Sequence, residues 1–259
     1  MDLEGKVAIV TGASRGIGRE IARAFAAEGA SLVLAARSAG ALDELAEELR
    51  GRGTTVVTVP TDMTRSDQVE RLADTALRLR GRIDVMVNNA GLAGPTVGIV
   101  DLDPGAWAEV LESNLTTCYL GCRAVVPAMM AQRSGAIINL SSISGKRPLL
   151  FRAGYCAAKM GVIGLTRELA LELGPHGITV NAICPGSVTG ERIDAVIAAQ
   201  ARARGLSTEE VAREFAASSP LGRLVPPEDV AAMAVYLAGP HGRSITGEDV
   251  NVNAGVAMY

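Results

Sequence analysis

Six short apolar runs without polar alternation recur along this chain, and a strand of that kind needs both of its faces covered. They are Val7–Thr11, Ser31–Ala36, Thr54–Pro60, Ile83–Asn88, Ala136–Ser141 and Ile178–Ile183. Longer stretches with helical spacing of apolar residues lie between them: Arg15–Glu28, Ala41–Arg52, Ser66–Arg80, Pro104–Arg133 (two helices, or one broken) and Ala153–Gly174. Strand–helix–strand alternation at this interval predicts an α/β fold, a doubly wound parallel sheet with helices on both faces. No repeat or linker divides the chain, so residues 1–259 are expected to form one domain.

Two segments break the rhythm. Residues 187–220 carry Ile193, Val196, Ile197, Val211 and Phe215 at helical spacing, beyond a strand end where an open α/β sheet binds its ligand. This predicts a substrate-binding helical lid. Ala153–Gly174 is apolar around most of its circumference, with Arg167, Glu168 and Glu172 its late charges. Such a helix needs a second cover beyond its own sheet, and a homodimer or homotetramer through residues 153–174 is the simplest.

A net charge of -3 gives no basic footprint for nucleic acid and no polybasic membrane patch. The start, M-D-L-E-G-K, has acidic residues where a signal peptide carries basic ones, and no apolar run approaches ~18 residues. A cytoplasmic protein is expected. Cys118, Cys122, Cys156 and Cys184 lack metal-ligand spacing and are read as small, mostly buried hydrophobes. His176 and His241 stand in turn-like G-P-H-G settings, without companions that would support a metal site or a Ser-His-Asp triad.

The first run leads into T-G-A-S-R-G-I-G, Thr11 to Gly18, and then directly into a helix. Gly12 permits the tight turn, Gly16 the approach of a phosphate and Gly18 close packing of helix on strand. The helix start then faces a pyrophosphate, so the sheet is read as a Rossmann-type dinucleotide fold. At the end of the second run, where an acidic residue would hold a ribose hydroxyl, the chain has Ala36 and Arg37. An arginine there, with Arg15 in the loop, suits a 2′-phosphate, which points to NADP(H) over NAD(H).

Tyr155 and Lys159 are four apart and share a helix face. A phenol with pKa near ~10 is a poor acid–base group at neutral pH, and an adjacent ammonium brings it toward the working range. Ser142 follows the Ala136–Ser141 strand, at the carboxyl edge of the sheet, where its hydroxyl would meet a substrate oxygen.

Thr11–Gly18, the N-N-A-G of Asn88–Gly91, Asn114, Ser142, Tyr155 with Lys159, and Pro185–Gly186 together resemble the short-chain dehydrogenase/reductase family, in order and spacing, over essentially the whole chain. The resemblance implies Tyr155 as general acid in reduction and base in oxidation. Lys159 would lower its pKa and hold the nicotinamide ribose, Ser142 would steady the carbonyl oxygen, and Asn114 would hold a water of a proton relay. It also implies a cofactor site formed by Gly12, Ser14, Arg15, Gly16, Ile17, Gly18, Arg37, Asp62, Met63, Asn88, Ala90 and Gly91, together with Tyr155, Lys159, Pro185, Gly186, Val188 and Thr189. Asp62 would meet the adenine amine, and Ile183, Gly186 and Val188 would lie near the carboxamide. One departure is P-G-S-V-T-G, where Thr189 stands one step before the family's cofactor-touching threonine and Gly190 takes its place. Members acting on acyl-carrier-protein thioesters carry a basic residue on the catalytic helix; Leu171 stands at that position.

The expected substrate is a small carbonyl compound or secondary alcohol. Ser144, Arg147, Arg152 and Arg192 are its candidate contacts, and Lys146 lies in the same G-K-R-P-L-L-F-R loop. Inward arginines would suit a sugar, a polyol or an acid; Leu149, Leu150 and Phe151 would suit an apolar ketone. Sugar or polyol dehydrogenation with NAD, 3-oxoacyl-thioester reduction and an NADP(H)-sensing regulatory role are the alternatives. A purely structural protein docking through residues 153–174 would leave the glycine loop idle.

Overall fold

Seven strands form one sheet, all parallel, in the order β3-β2-β1-β4-β5-β6-β7. They are β1 (Val7–Thr11), β2 (Ser31–Ala36), β3 (Val56–Pro60), β4 (Val85–Asn88), β5 (Gly135–Leu140), β6 (Ile178–Pro185) and β7 (Asp249–Val252) in a computed structural model that describes residues 1–259. The main helices are α1 (Gly16–Ala27), α2 (Ala39–Arg50), α3 (Ser66–Arg80), α4 (Pro104–Leu111), α5 (Thr117–Gln132), α6 (Ala153–Leu173), α7 (Glu191–Arg204), α8 (Thr208–Ala217) and α9 (Pro227–Ala238).

Successive side chains leave a strand on opposite faces, so each strand feeds two cores. Ala8, Val10, Leu32 and Leu34 pack with Ile21 and Phe25 of α1, Leu42 and Leu45 of α2, and Val230 and Leu237 of α9. Val7, Ile9, Val33 and Ala35 pack instead with Val69 and Leu72 of α3, Val125 and Met129 of α5, and Val162 and Leu173 of α6. Every residue of β1, β2 and β4 is buried, which explains the missing polar alternation. At about 1.5–3 kcal/mol for each fully buried large aliphatic or aromatic side chain, these two layers drive the fold. No helix is long and apolar enough to cross a membrane.

Several boundaries shift for local reasons. β4 starts at Val85; Asp84 before it accepts the Val7 amide on its carboxylate (2.8 Å) and pairs with the Arg82 guanidinium. β6 continues past Ile183 to Pro185 because Ala182–Pro185 pairs with β7. The D-V-N-V of β7 was not anticipated: it is a four-residue edge strand, half-buried throughout, with Asp249 and Asn251 both bonded to Lys146 Nζ. The stretch Pro104–Arg133 resolves into α4 and α5, joined by a π-helical turn at Glu112–Thr116.

Residues 187–220 are largely helical, as expected. Ile193, Val196, Ile197 and Ala201 of α7 close on Val211 of α8 in a small core of their own, against which Ala93, Leu149, Phe215 and Leu224 pack. α7 and α8 are therefore held mainly to each other and to the loops at the carboxyl ends of the strands.

Candidate active site

The glycine loop between β1 and α1 is shaped by a side chain from the next strand over. Asn89 Nδ2 donates to the carbonyls of Thr11 (2.9 Å) and Gly12 (3.2 Å). Thr11 Oγ1 accepts the amides of Asn89 and Ala90 and donates to Val87 O. Gly16 takes a φ of +54°, and a Cβ added there would meet nothing within 4 Å, so its outer side is open to a ligand. Gly18 is needed for closeness instead: a Cβ would stand 2.4 Å from both Asn89 Nδ2 and Gly12 O. α1 begins at Gly16 with no side chain capping its first N–H groups. Those donors and the positive end of the helix dipole remain available to an anion, as a pyrophosphate would require.

Ser14 and Ile17 are half-buried in the same turn, and Arg15 is exposed, 3.7 Å from Glu191 at the start of α7. Arg37 follows β2, exposed at its carboxyl end. Asp62 lies near Arg37; hydrogen bonds from the Thr64 amide and hydroxyl, helped by the charges of Arg37 and Arg65, hold its carboxyl below the usual range. Met63 is buried under the sheet. Asn88 departs from the expected wall. Its side chain points into the interior, donating to Asn139 Oδ1 (2.9 Å) and Cys122 Sγ (3.3 Å), while Asn89 organises the loop.

The proposed acid–base group sits where β5 meets α6. Lys159 is buried, and its Nζ donates to Leu140 O at 2.7 Å. Ser141 Oγ donates to Lys159 O, also at 2.7 Å, so the strand end grips the helix twice. Gly145 permits the approach, since a Cβ there would lie 2.9 Å from the Lys159 carbonyl. Lys159 Nζ is 5.7 Å and Arg152 Cζ 4.9 Å from the centroid of the Tyr155 ring. Burial opposes ionisation of Tyr155, but Lys159, Arg192, the Ser142 hydroxyl and Arg152 outweigh it and hold its pKa below the ordinary value. Burial likewise lowers the pKa of Lys159, against the attraction of Tyr155. Ser142 follows β5 in extended conformation, its Oγ accepting the amide of Ser144 (3.1 Å).

Asn114 lies in the π-helical turn, a departure from α geometry of the kind that recurs at functional sites. Its Nδ2 donates to Leu92 O and Val110 O, while its Oδ1 is buried with no partner. An orphaned acceptor of this kind calls for a donor such as water. Gly91 sits against it, where a Cβ would be 2.6 Å from Oδ1.

On the far side of the cleft, Pro185 ends β6, and the Gly186 amide donates to Val252 O (3.0 Å). Val188 bridges to Val225, and Thr189 is exposed with only its amide engaged, on Val225 O. Gly190 has a φ of +125°, a conformation that threonine would adopt only with strain. Of the four expected substrate contacts, Ser144 and Arg152 are buried near Tyr155, and Arg192 reaches across to Gly91 O. Arg147 is exposed. Lys146 is spent elsewhere, on Asp249, Asn251 and the Tyr259 carbonyl.

Comparison with known proteins accords with this geometry. A family model described as enoyl-(acyl carrier protein) reductase matches residues 12–257. The 3-oxoacyl-[acyl-carrier-protein] reductase FabG of Vibrio harveyi is 37% identical over 258 residues, covering 100% of each chain. The chain belongs to the short-chain dehydrogenase/reductase family. Among solved structures, an NAD+-bound xylitol dehydrogenase superposes on this short-chain dehydrogenase/reductase with a TM-score of 0.96 at 29% identity, covering 98% of this chain and 100% of that one. A variant actinorhodin polyketide ketoreductase with NADPH gives 0.93 at 37% identity, covering 98% of each. The two solved relatives hold nicotinamide cofactors, NAD+ in the dehydrogenase and NADPH in the ketoreductase.

Sequence reasoning passed over Asn89, Ser141, Asn139 and Thr166. The last two bond at 2.9 Å and tie α6 to β5 from within. Asn89 lies within the N-N-A-G motif and Ser141 next to Ser142, so both stand in segments that the sequence already marks. The loop geometry makes a direct prediction. Gly18→Ala should cost about 1–3 kcal/mol of stability through overpacking and weaken dinucleotide binding. Denaturant unfolding and cofactor fluorescence titration would measure the two effects.

Proposed function

We propose that this chain is an NADP(H)-dependent reductase/dehydrogenase that interconverts a ketone and a secondary alcohol, with Tyr155 as the acid–base group. The observation that carries this reading is the cationic setting of Tyr155, whose phenol is biased toward ionisation beside Lys159 and Ser142. When bound, the nicotinamide supplies or accepts the hydride. In the reducing direction Tyr155 gives its proton to the carbonyl oxygen, which Ser142 steadies by a hydrogen bond. In oxidation the phenolate takes the hydroxyl proton. Lys159, fixed by Leu140 O, favours the phenolate and would hold a ribose hydroxyl. Asn114 Oδ1 offers the free acceptor for a water that resupplies the proton.

The residues present fit a phosphorylated dinucleotide. The uncapped start of α1 takes the pyrophosphate, and Arg37, with Arg15, meets the 2′-phosphate by charge-assisted hydrogen bonds. Asp62, Met63, Ala90, Gly91, Gly186 and Val188 line the remainder of the cofactor's path. α7 and α8 act as the lid. The exposed Met160 and Leu171 of α6 and Tyr119 of α5 are apolar surface that a second copy of the chain would cover, giving a homodimer or homotetramer. The same exposed Leu171 favours a free small molecule over a carrier-bound thioester. A cytoplasmic location is consistent with this chemistry.

Nicotinamide absorbance, followed with NADPH or NADH and a panel of carbonyl compounds and sugars, tests the reading. Tyr155→Phe should keep cofactor affinity and lose a factor on the order of 10²–10⁴ in turnover; normal turnover would refute the mechanism. Tight NADPH binding with no turnover of any substrate would favour the sensing role instead. Arg37→Ala should weaken NADPH by roughly 10- to 100-fold while leaving NADH little changed, by the strength of a charged hydrogen bond. Equal losses would mean that Arg37 does not read the phosphate.

A further inference from the structure

A guanidinium buried in an active site needs anionic partners, and Arg152 has no carboxylate beside it. It is 4% exposed, and its Nε is buried without a partner. Its one hydrogen bond is from Nη2 to the Ala93 carbonyl, and its face lies on the Tyr155 ring. No aspartate or glutamate pairs with it; beyond burial, ionisation of Tyr155 would favour its charge while Arg192 disfavours it. Arg192, at the start of α7, reaches over the cleft to Gly91 O without a carboxylate of its own, and its charge disfavours that of Arg152. Glu191, the adjacent acid, turns to Arg15. An unpaired buried charge with an unused N–H is costly, and cations facing one another across a cleft add to the cost. A bound anion removes both penalties.

We propose that Arg152 and Arg192 form a carboxylate-recognition subsite beside Tyr155, so that the substrate is an oxo acid or the corresponding hydroxy acid. The inference rests on the reading of Tyr155 as the acid–base group and deepens it by naming the substrate's chemical class. One end of the substrate is the reacting carbonyl at Tyr155 and Ser142. The other is the carboxylate, taken by the free Nε–H of Arg152 and closed over by Arg192 as α7 settles. The apolar lid core, with Ile193, Val196 and Leu149, excludes water behind it, which strengthens the ionic contact. The arrangement also explains why the arginines of this region divide: Arg147 and Lys146 serve the surface and the C-terminal segment, while Arg152 and Arg192 are left for a ligand.

The test compares acetoacetate with methyl acetoacetate, in which a methyl ester replaces the charged carboxylate at the recognised end. With NADPH, the wild-type protein should favour the acid in kcat/KM by roughly 10-fold or more, the difference residing in KM. Arg152→Gln should depress kcat for both substrates, because the phenol loses a cation, and should in addition collapse the acid–ester ratio toward one. Arg192→Gln should lower the ratio by the same route. A ratio near one in the wild-type protein, or equal losses for acid and ester in both variants, would overturn the proposal and leave Arg152 as a residue that only biases Tyr155. A binding measurement keeps the subsite testable apart from turnover. In the protein with NADP+, propionate should raise the melting temperature more than propionamide at matched ionic strength, and Arg152→Gln should abolish the difference. Stabilisation by propionate without reduction of either probe would keep the anion subsite and count against the reductase reading. Equal stabilisation by propionate and propionamide would reject the subsite.

Discussion

The contact on which the site depends is the double grip of β5 on α6. The Leu140 carbonyl takes the Lys159 ammonium while the Ser141 hydroxyl takes the Lys159 carbonyl, each at 2.7 Å. A buried ammonium is expensive unless it is hydrogen-bonded, and the Leu140 carbonyl meets one of its N–H groups from the strand that leads to Ser142. Tyr155, one turn earlier on the same helix, is thereby held beside a cation that does not wander. Asn139 and Thr166 fix the same helix farther along, so the angle of α6 to the sheet is set at two points. Placement of the phenol is a property of the sheet–helix interface and not of a loop.

The sheet order explains why the cofactor groups and the acid–base groups meet. β1 lies between β2 and β4, and the chain winds outward in opposite directions on either side of it. At such a switch point the loops after neighbouring strands diverge and leave a crevice at their carboxyl ends. The glycine loop follows β1, Arg37 follows β2, Asn89 follows β4 and Ser142 follows β5. Every group invoked for binding or catalysis on these segments is thus delivered to one edge, and α7 and α8, with their own small core, stand over it.

Much of this was legible in the sequence because the signals were local. Unbroken apolar runs mark strands covered on both faces, and Thr11–Gly18 marks a turn into an uncapped helix. Tyr155 and Lys159 are related by helix periodicity alone. What escaped was nonlocal or structurally disguised. β7 is short, polar and only half-buried, and its pairing to β6 is visible only once the sheet exists. The π-helical turn around Asn114 leaves no periodic mark in five residues. Lys146 and Arg152 look alike in G-K-R-P-L-L-F-R, yet one reaches Asp249, about a hundred positions on, and the other is buried against Tyr155. Asn88 and Asn89 are adjacent and identical in chemistry, and strand alternation alone sends one into the core and the other to the loop.

The account turns on the electrostatics of one phenol, which an ultraviolet titration of tyrosine ionisation reads directly. The chain has four tyrosines. One of them should ionise below the usual value near ~10, and that early step should vanish in Tyr155→Phe. Lys159→Met should move it upward, because removing the neighbouring cation withdraws stabilisation from the phenolate. An early step unchanged in Tyr155→Phe, or no early step in the wild-type protein, would contradict the claim that this fold prepares Tyr155 for proton transfer.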